Sequence, residues 1–587
     1  MGNPINAWYF RMKPRSILRT IEWFPYFAML EGQNWDLVDP QNVSISTHRG
    51  VLITRRKYLL SAHSDEISLG YDDFMSGRFD VKDIESQARN DKASFEFYGF
   101  GYVDDSNIVR VTEFGRLIAE NRMSGEQLLK QLLKIQFPSP RSGQLISGKC
   151  IFPLEIFLET ITKFDTLSRT EVAFLFGCID IDETYKVENA INEFRLEFSK
   201  LSENQKTKHV GKLFGIIFNK TFPNNNNQPD SYLDYADAFI RAVSYTGLFL
   251  TKGRSHHLRV YIPEHAKTKV KLLSEKFVFS ENTNSNITKF MTLFGDPYNV
   301  QLPWDNPIDR KIIVESKLDN YKKILQNTRP PEDSIFKEVK SIELLIEKAD
   351  YKALLIADET LSTNLLNENE RVYIEILSKT RIARDEIIEK FVEIREGSEE
   401  LAALWLEVNT WRSLVAMTGD HRVKRNFKLE DDLTPKSFAP GSGNTPDMEL
   451  YVNGYILIPE VSLMSGVRQW EHEGSSVIDH VLKFIESSPD KKVFGLFISK
   501  TMNIRSKWQF FILNKESWIG KNVPVIPLTI DQYINIISFV YDNEINIHDF
   551  SKLIVSMHTT ALTSKDYQAW ESGFSQIIDE WKSNVCV

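Results

Sequence analysis

The sequence predicts a multidomain α+β chain: a mostly helical N-terminal region containing two helix-plus-hairpin modules, a helical linker, and a C-terminal α/β domain on a mixed central sheet. Three observations carry this expectation. The 587 residues exceed what one ordinary hydrophobic core organises. Twice in the first half, helix-periodic sequence runs into two short alternating strands around a polar turn. Residues 398–587 interleave aromatic and β-branched runs with helical patterns, as an α/β domain does.

Composition sets outer limits. Hydrophobic residues make up 42% and charged residues 26%, the balance of a globular chain and not of a disordered one. Cys150, Cys178 and Cys586 are far apart, without the spacing of a zinc site or a disulfide framework, so a reducing cytoplasm is expected. The start, MGNPINAWYFRMKPRS, has no apolar signal-like core, and no run approaches 18 apolar residues. Neither export nor membrane insertion is expected.

The net charge of -9 argues against nonspecific coating of nucleic acid, which needs many Lys and Arg contacts to phosphate. Within residues 1–60, however, Arg11, Lys13, Arg15, Arg19, Arg49, Arg55, Arg56 and Lys57 outnumber Glu22, Glu31, Asp36 and Asp39. Such a local patch can dock a duplex while the remainder stays acidic.

The first module, about 1–195, carries a helix-like stretch around 74–93. Strands Tyr98–Val103 and Ile108–Val111 come next, around an Asp-Asp-Ser-Asn turn, and Thr112 and Glu113 open another helix. In the second, 196–300, SYLDYADAFIRAVSYTG leads to strands Leu248–Thr251 and Leu258–Ile262 around Gly-Arg-Ser. This order resembles the end of a winged helix, a DNA-reading unit. On that reading Lys13, Arg15, Arg19, Arg55, Arg56 and Lys57 are candidate DNA contacts, with Arg254, His256 and Arg259 on the second turn as runners-up. The alternative, ordinary surface charge, stands beside it. His256 and His257 are adjacent instead of spaced as metal ligands, which argues against zinc. The stripes in EQLLKQLLKIQF, PLEIFLETITKF and TEVAFLFGCI read as core, and PNNNNQPD as an exposed loop.

Residues 301–397 read as a helical linker of charged amphipathic helices broken by TRPPED, with heptads too irregular for a coiled coil. In 398–587 the runs ELYVNGYILIPEV, KVFGLFISK, WQFFILN and VPVIPLTI are expected to be strands.

The candidate chemistry lies in this last part. Asp447 begins a hairpin strand, and Glu460 lies near the end of the next, beside a bulge or turn. Upstream, the helix LAALWLEVNTWRSLVAM buries Leu401, Leu404, Val408, Trp411 and Leu414 on one face, with Glu407 at its edge. Three converging carboxylates suit Mg²⁺, a hard cation with oxygen ligands that can activate water for attack on a phosphodiester. A Pro-Asp with a Glu thirteen residues on is also frequent by chance, and Asp447 in that case only shapes a turn.

The run TPDMELYVNGYILIPEV resembles the PD-(D/E)XK nuclease motif, and its surroundings resemble the AlwI-type type IIS restriction and nicking endonucleases. The likeness extends through NAWYFRMKPRS, YGFGYVDD, VRVTEFGRLIAENR, LLKQLLKIQFPS, YTGLF and LWLEVNTW, and so spans most of the chain. The resemblance implies Glu407 as the helix acid, Asp447 as the metal-bridging aspartate and Glu460 as the second metal ligand. Ser462 stands where many such nucleases carry lysine. Glu473 and His480, beyond Gln469 in SGVRQWEHEGSSVIDHV, match acidic and histidine positions of the nicking relatives and are candidates for the lysine function.

The resemblance thus implies a Mg²⁺-dependent type IIS restriction endonuclease that reads a short asymmetric site in double-stranded DNA and cuts to one side. Second-strand cleavage calls for a transient homodimer or a small partner subunit, and a cognate DNA methyltransferase completes such a system. A strand-specific nickase and the large subunit of a heterodimeric restriction enzyme fit the same residues. A noncatalytic sequence-specific DNA-binding protein, its acids merely structural, is the reading from a different class.

Overall fold

The computed structural model describes all residues except 1–5, 45–48, 65, 68–69, 77–83, 143, 224–228, 332, 349, 440–444, 467–468, 517–519 and 586–587. Cys586, much of PNNNNQPD and the middle of the helix expected at 74–93 lie outside the described residues; Cys150 and Cys178 are free thiols. The chain divides into two compact units, residues 1–313 with 349–351, and residues 314–348 with 352–587.

In the first unit the helix Ile17–Ala28 buries Ile17, Thr20, Phe24 and Phe27, one face at helical spacing. Strands β1 (Val38–Val43) and β2 (Gly50–Leu52) pair antiparallel and run into the helix Ile53–Ala62. Both hairpins expected in this half are present. Helix Ile84–Phe97 precedes β3 (Gly101–Val103) and β4 (Val109–Val111), paired antiparallel. In the turn between them Asp104 Oδ1 accepts from the amides of Ser106 and Ile108. Thr112 then caps the helix Glu113–Ala119, accepting from Gly115 N–H at 3.0 Å.

The second hairpin has an unexpected member. Strand β5 (Thr166–Ser168) pairs with β7 (Arg259–Tyr261), which also pairs with β6 (Leu250–Lys252), giving a three-stranded sheet after helix Pro229–Ser244. Three residues are too few to show alternation in sequence, and their partner lies some ninety residues away, so β5 has no local signal.

In the second unit, part of the stretch expected as a linker forms a core of its own. Val314, Leu318, Tyr321 and Leu325 meet Val339, Ile342 and Ile346 and a row from Leu354 through Ala357 and Leu361 to Leu365. Buried Glu368 closes this region, accepting from Arg329 and Arg371.

The five-stranded sheet has the order β12 (Val525–Thr529), β11 (Lys492–Ser499), β10 (Tyr455–Ser462), β9 (Met448–Val452), β8 (Val423–Arg425). Strands β10, β11 and β12 run parallel, while β9 and β8 are antiparallel to their neighbours, so the sheet is mixed as expected. Val452 pairs with Tyr455 across Asn453-Gly454, and Gly454 takes φ +80°, which the two-residue turn requires. WQFFILN is not a strand but part of the helix Ile504–Lys515. Asn503 caps this helix, and Ser506, Phe510 and Asn514, four residues apart, bury one row.

Candidate active site

Asp447 stands one residue before β9, and Glu460 is the third residue from the end of β10; the hairpin brings them together. The Val461 amide donates to Asp447 Oδ2 at 2.9 Å, and the Asp447 amide lies 3.4 Å from Glu460 Oε2. Each acid thus meets backbone beside the other.

Glu407 arrives from the helix Ala402–Thr418, which packs on β10. Trp411 and Leu414 are fully buried beneath it. Asn409 Nδ2 donates to the Ile387 carbonyl at 2.8 Å, Ser413 Oγ meets Tyr533 Oη at 2.7 Å, and Arg412 donates to the Leu433 carbonyl at 2.9 Å. These bonds leave the helix little freedom to slide or turn, which fixes where its acid can point.

Beyond β10 the chain makes a π-helical turn, Gln469–Gly474, and enters the helix Ser475–Ser487. Such wide turns recur at functional sites. Here the turn carries Glu473, and the helix turns His480 inward, 5% exposed, with Nδ1 2.5 Å from Glu460 Oε1. Gln469 is fully buried and braces the sheet end: Nε2 donates to the Met464 and Thr501 carbonyls and Ser499 Oγ, and Oε1 accepts from Asn503 N–H. Nothing in its sequence position signals that bracing role.

The electrostatics are those of buried acids facing acids. Burial, reinforced by Asp447 and Glu473, pushes Glu407 up to about 8. Burial also pushes Glu460 up to about 8, with Glu473 and Glu407 adding to it against the hydrogen bonds from Asp447. Asp447 is held well above the usual carboxylate range by burial and by Glu460. His480 is lowered, chiefly by burial. Glu473 acts on all four groups. Glu449, two residues after Asp447, makes the contrast: burial is outweighed there by Lys424, Tyr451 and Asn426, and its carboxyl is lowered.

Each of Glu407, Asp447 and Glu460 is raised by a neighbouring carboxyl group as well as by burial. The donor set is all carboxylate oxygen, the chemistry of a hard divalent ion. The donor atoms of Glu407, Asp447 and Glu460 do not all lie within 4.8 Å of one another. Two oxygens bound directly to one Mg²⁺-like ion are at most about 4.2 Å apart, so in this arrangement at least one of the three carboxylates would reach such an ion through a water that the ion retains.

The sequence model of the AlwI restriction endonuclease family matches residues 98–536. The chain belongs to this family. With membership comes the activity of a type II restriction endonuclease, a site-specific deoxyribonuclease acting on DNA, and restriction endonucleases generally use divalent metal ions. Among solved structures, the chain is similar to the small subunit (R.BspD6I2) of the heterodimeric restriction endonuclease R.BspD6I. The identity is 20% over 33% of this chain and 98% of that one, with a TM-score of 0.28. No curated protein matches. Among the described residues no helix of this AlwI-family chain is long and apolar enough to cross a membrane.

The basic candidates of the family member differ in exposure and pairing. Lys13 and Lys57 are exposed. Arg15 pairs with Asp234 at 2.7 Å, Arg19 with Glu22 at 2.9 Å, and Arg55 with Asp36. Arg56 is the exception. It is 0% exposed, its guanidinium donates to the Phe74 carbonyl, and it lies over the Phe74 ring, so it has no surface to offer a duplex. The run Arg-Arg-Lys reads as uniformly basic, but a helix turns about 100° per residue and points one of the three inward. Arg254 is exposed, Arg259 faces Glu171 at 3.6 Å, and His256 is largely buried. Ser462 is buried, and its hydroxyl accepts from Met464 N–H at 3.0 Å, which ties it to the local turn.

Proposed function

We propose that this restriction endonuclease is of the type IIS class: it reads a short asymmetric site with its first unit and hydrolyses phosphodiester bonds to one side with its second, using Mg²⁺. The observation that carries the reading is the interlock of Asp447 with Glu460 through the Val461 amide, with His480 on the far oxygen of Glu460. Asp447, Glu460 and Glu407 would hold the ion. When bound, Mg²⁺ supplies activation of a water and charge neutralisation at the phosphate.

The chain's own groups do the rest. The Val461 amide orients Asp447. His480 fixes the rotamer of Glu460 and holds a proton between Nδ1 and Oε1, within one buried pair that can take up and release it. Glu473 keeps the local field negative, so that the acids favour an incoming cation. With Ser462 tied to the turn, His480 and Glu473 take the part that lysine plays in many related sites. In the first unit, the two helix-plus-hairpin modules serve as winged-helix-like readers, with Lys13, Arg15, Arg19, Arg55, Lys57, Arg254, His256 and Arg259 as phosphate or base contacts.

One centre of this kind severs one strand, so duplex cleavage takes a second copy or a partner subunit. The test is supercoiled plasmid incubated with the protein in Mg²⁺ and in EDTA. Nicked or linear product in Mg²⁺ alone, with ends mapped beside a fixed asymmetric sequence, is the expected result. DNA binding without cleavage at any Mg²⁺ concentration would overturn it.

A further inference from the structure

In the first unit, the helix Glu203–Thr221 begins beside the turn between β6 and β7. Three side chains meet there. Glu203 Oε2 lies 3.6 Å from His256 Nε2 and 3.6 Å from His257 Nε2, and one donor atom from each residue falls within 4.8 Å of the other two. A zinc-class ion about 2.1 Å from each donor in tetrahedral geometry separates donors by about 3.4 Å. The spacing is that of a set of ligands before the last few tenths of closure.

Two further features point to a ligand. The His256 side chain is 9% exposed, and its Nε2 has no hydrogen-bond partner, an expensive state for a buried ring nitrogen. Its other nitrogen, Nδ1, lies 3.3 Å from Thr207 Oγ1, the kind of outer contact that fixes the orientation of a ligating imidazole. Lys206 occupies the other oxygen of Glu203, Oε1, at 2.6 Å, leaving Oε2 to the histidines. Both imidazoles line a cavity of about 360 Å³, which gives a hydrated ion a way in.

We propose that Glu203, His256 and His257 bind one divalent transition-metal ion of the zinc class, with one coordination position left open. Two imidazoles and one carboxylate select Zn²⁺, Co²⁺ or Ni²⁺ over Mg²⁺. The adjacency of the two histidines, which in sequence argues against a metal, is no obstacle, because the third ligand comes from a helix some fifty residues upstream. The ion would pin the β6–β7 turn, with Arg254 and Arg259 at its edges, to the start of that helix. The site is independent of the acidic cluster and of the nuclease reading.

The test uses full-length protein without a polyhistidine tag, carrying Asp447→Ala so that the acidic cluster is weakened. Titration with Co²⁺ alone should give the visible absorption of four-coordinate cobalt, saturating at one equivalent, displaced by Zn²⁺ and untouched by excess Mg²⁺. Adding His256→Gln or Glu203→Gln should weaken binding by about tenfold or more. Glu203 is exposed at the helix start, so Glu203→Gln should keep its circular dichroism and melting profile. Absence of a cobalt band in the Asp447→Ala protein, or a band unchanged by both second substitutions, would overturn the site.

Discussion

The amide of Val461 and the carboxylate of Asp447 are 2.9 Å apart, so the strand that carries Glu460 also holds the other acid of the pair. Neither carboxylate can be displaced without disturbing the hairpin that positions its neighbour.

Asp447→Ala should therefore lower cleavage by at least about 100-fold, while site-specific binding stays within a few-fold, because the residues proposed to read DNA belong to the other unit. Gel-shift titration beside a plasmid assay checks both halves. Cleavage at the normal rate would remove Asp447 from the centre.

His480→Ala should cost roughly 10- to 100-fold in rate through loss of control over Glu460, in the range usual for groups that orient a metal ligand. The pH profile separates this from a mere folding defect. Losing the imidazole should move the limb belonging to the Glu460 pair, whereas a destabilised but intact site keeps its profile.

The raised carboxyls make stability depend on pH in a definite direction. Glu407 and Glu460, pushed up to about 8 from an ordinary 4.5, stay protonated in the fold at pH values where the unfolded chain has lost those protons. In EDTA, stability is full below pH 4.5 as far as these two groups are concerned and falls as pH rises towards about 8. Saturating Mg²⁺ should flatten that fall, and its binding near neutral pH should release protons, measurable by calorimetry in buffers of different ionisation enthalpy. Binding with no proton release would contradict the arrangement.

Arg56 and Lys57 should behave oppositely. Lys57→Ala, and likewise Lys13→Ala, should leave melting unchanged and reduce the slope of log affinity against log salt by about 0.9 for each phosphate no longer neutralised. Arg56→Ala should destabilise the fold by roughly 2–4 kcal/mol through the loss of a buried charged hydrogen bond and of packing on Phe74, with the salt slope of the folded protein intact. Thermal melts and binding at several salt concentrations decide between them.

Legibility of the fold tracks the reach of the signals. The hairpin Met448–Ser462 is readable because alternation and the Asn-Gly turn are local, and the helix that carries Glu407 because its apolar residues recur at helical spacing, although the fold buries that helix on nearly all sides. Helix Ile504–Lys515 reads as a strand because four consecutive apolar residues carry no period; the cap at Asn503 is the better guide. The burial of Arg56 and the pairing of β5 depend on distant chain, as does the meeting of Glu203 with His256 and His257. The position of Glu473 at a π-helical turn has no local sequence rule to announce it.

The pairing of β10 with β9 on one side and β11 on the other makes the second unit sensitive to odd and even numbers. Side chains along a strand alternate between faces, so a single residue inserted within β10, between Tyr455 and Glu460, would turn Glu460 to the opposite face of the sheet and bring Pro459 into its place. Two residues inserted there would return the acid to its face. Length variants of this chain should therefore regain activity in steps of two, a pattern that mere loosening of a loop would not produce.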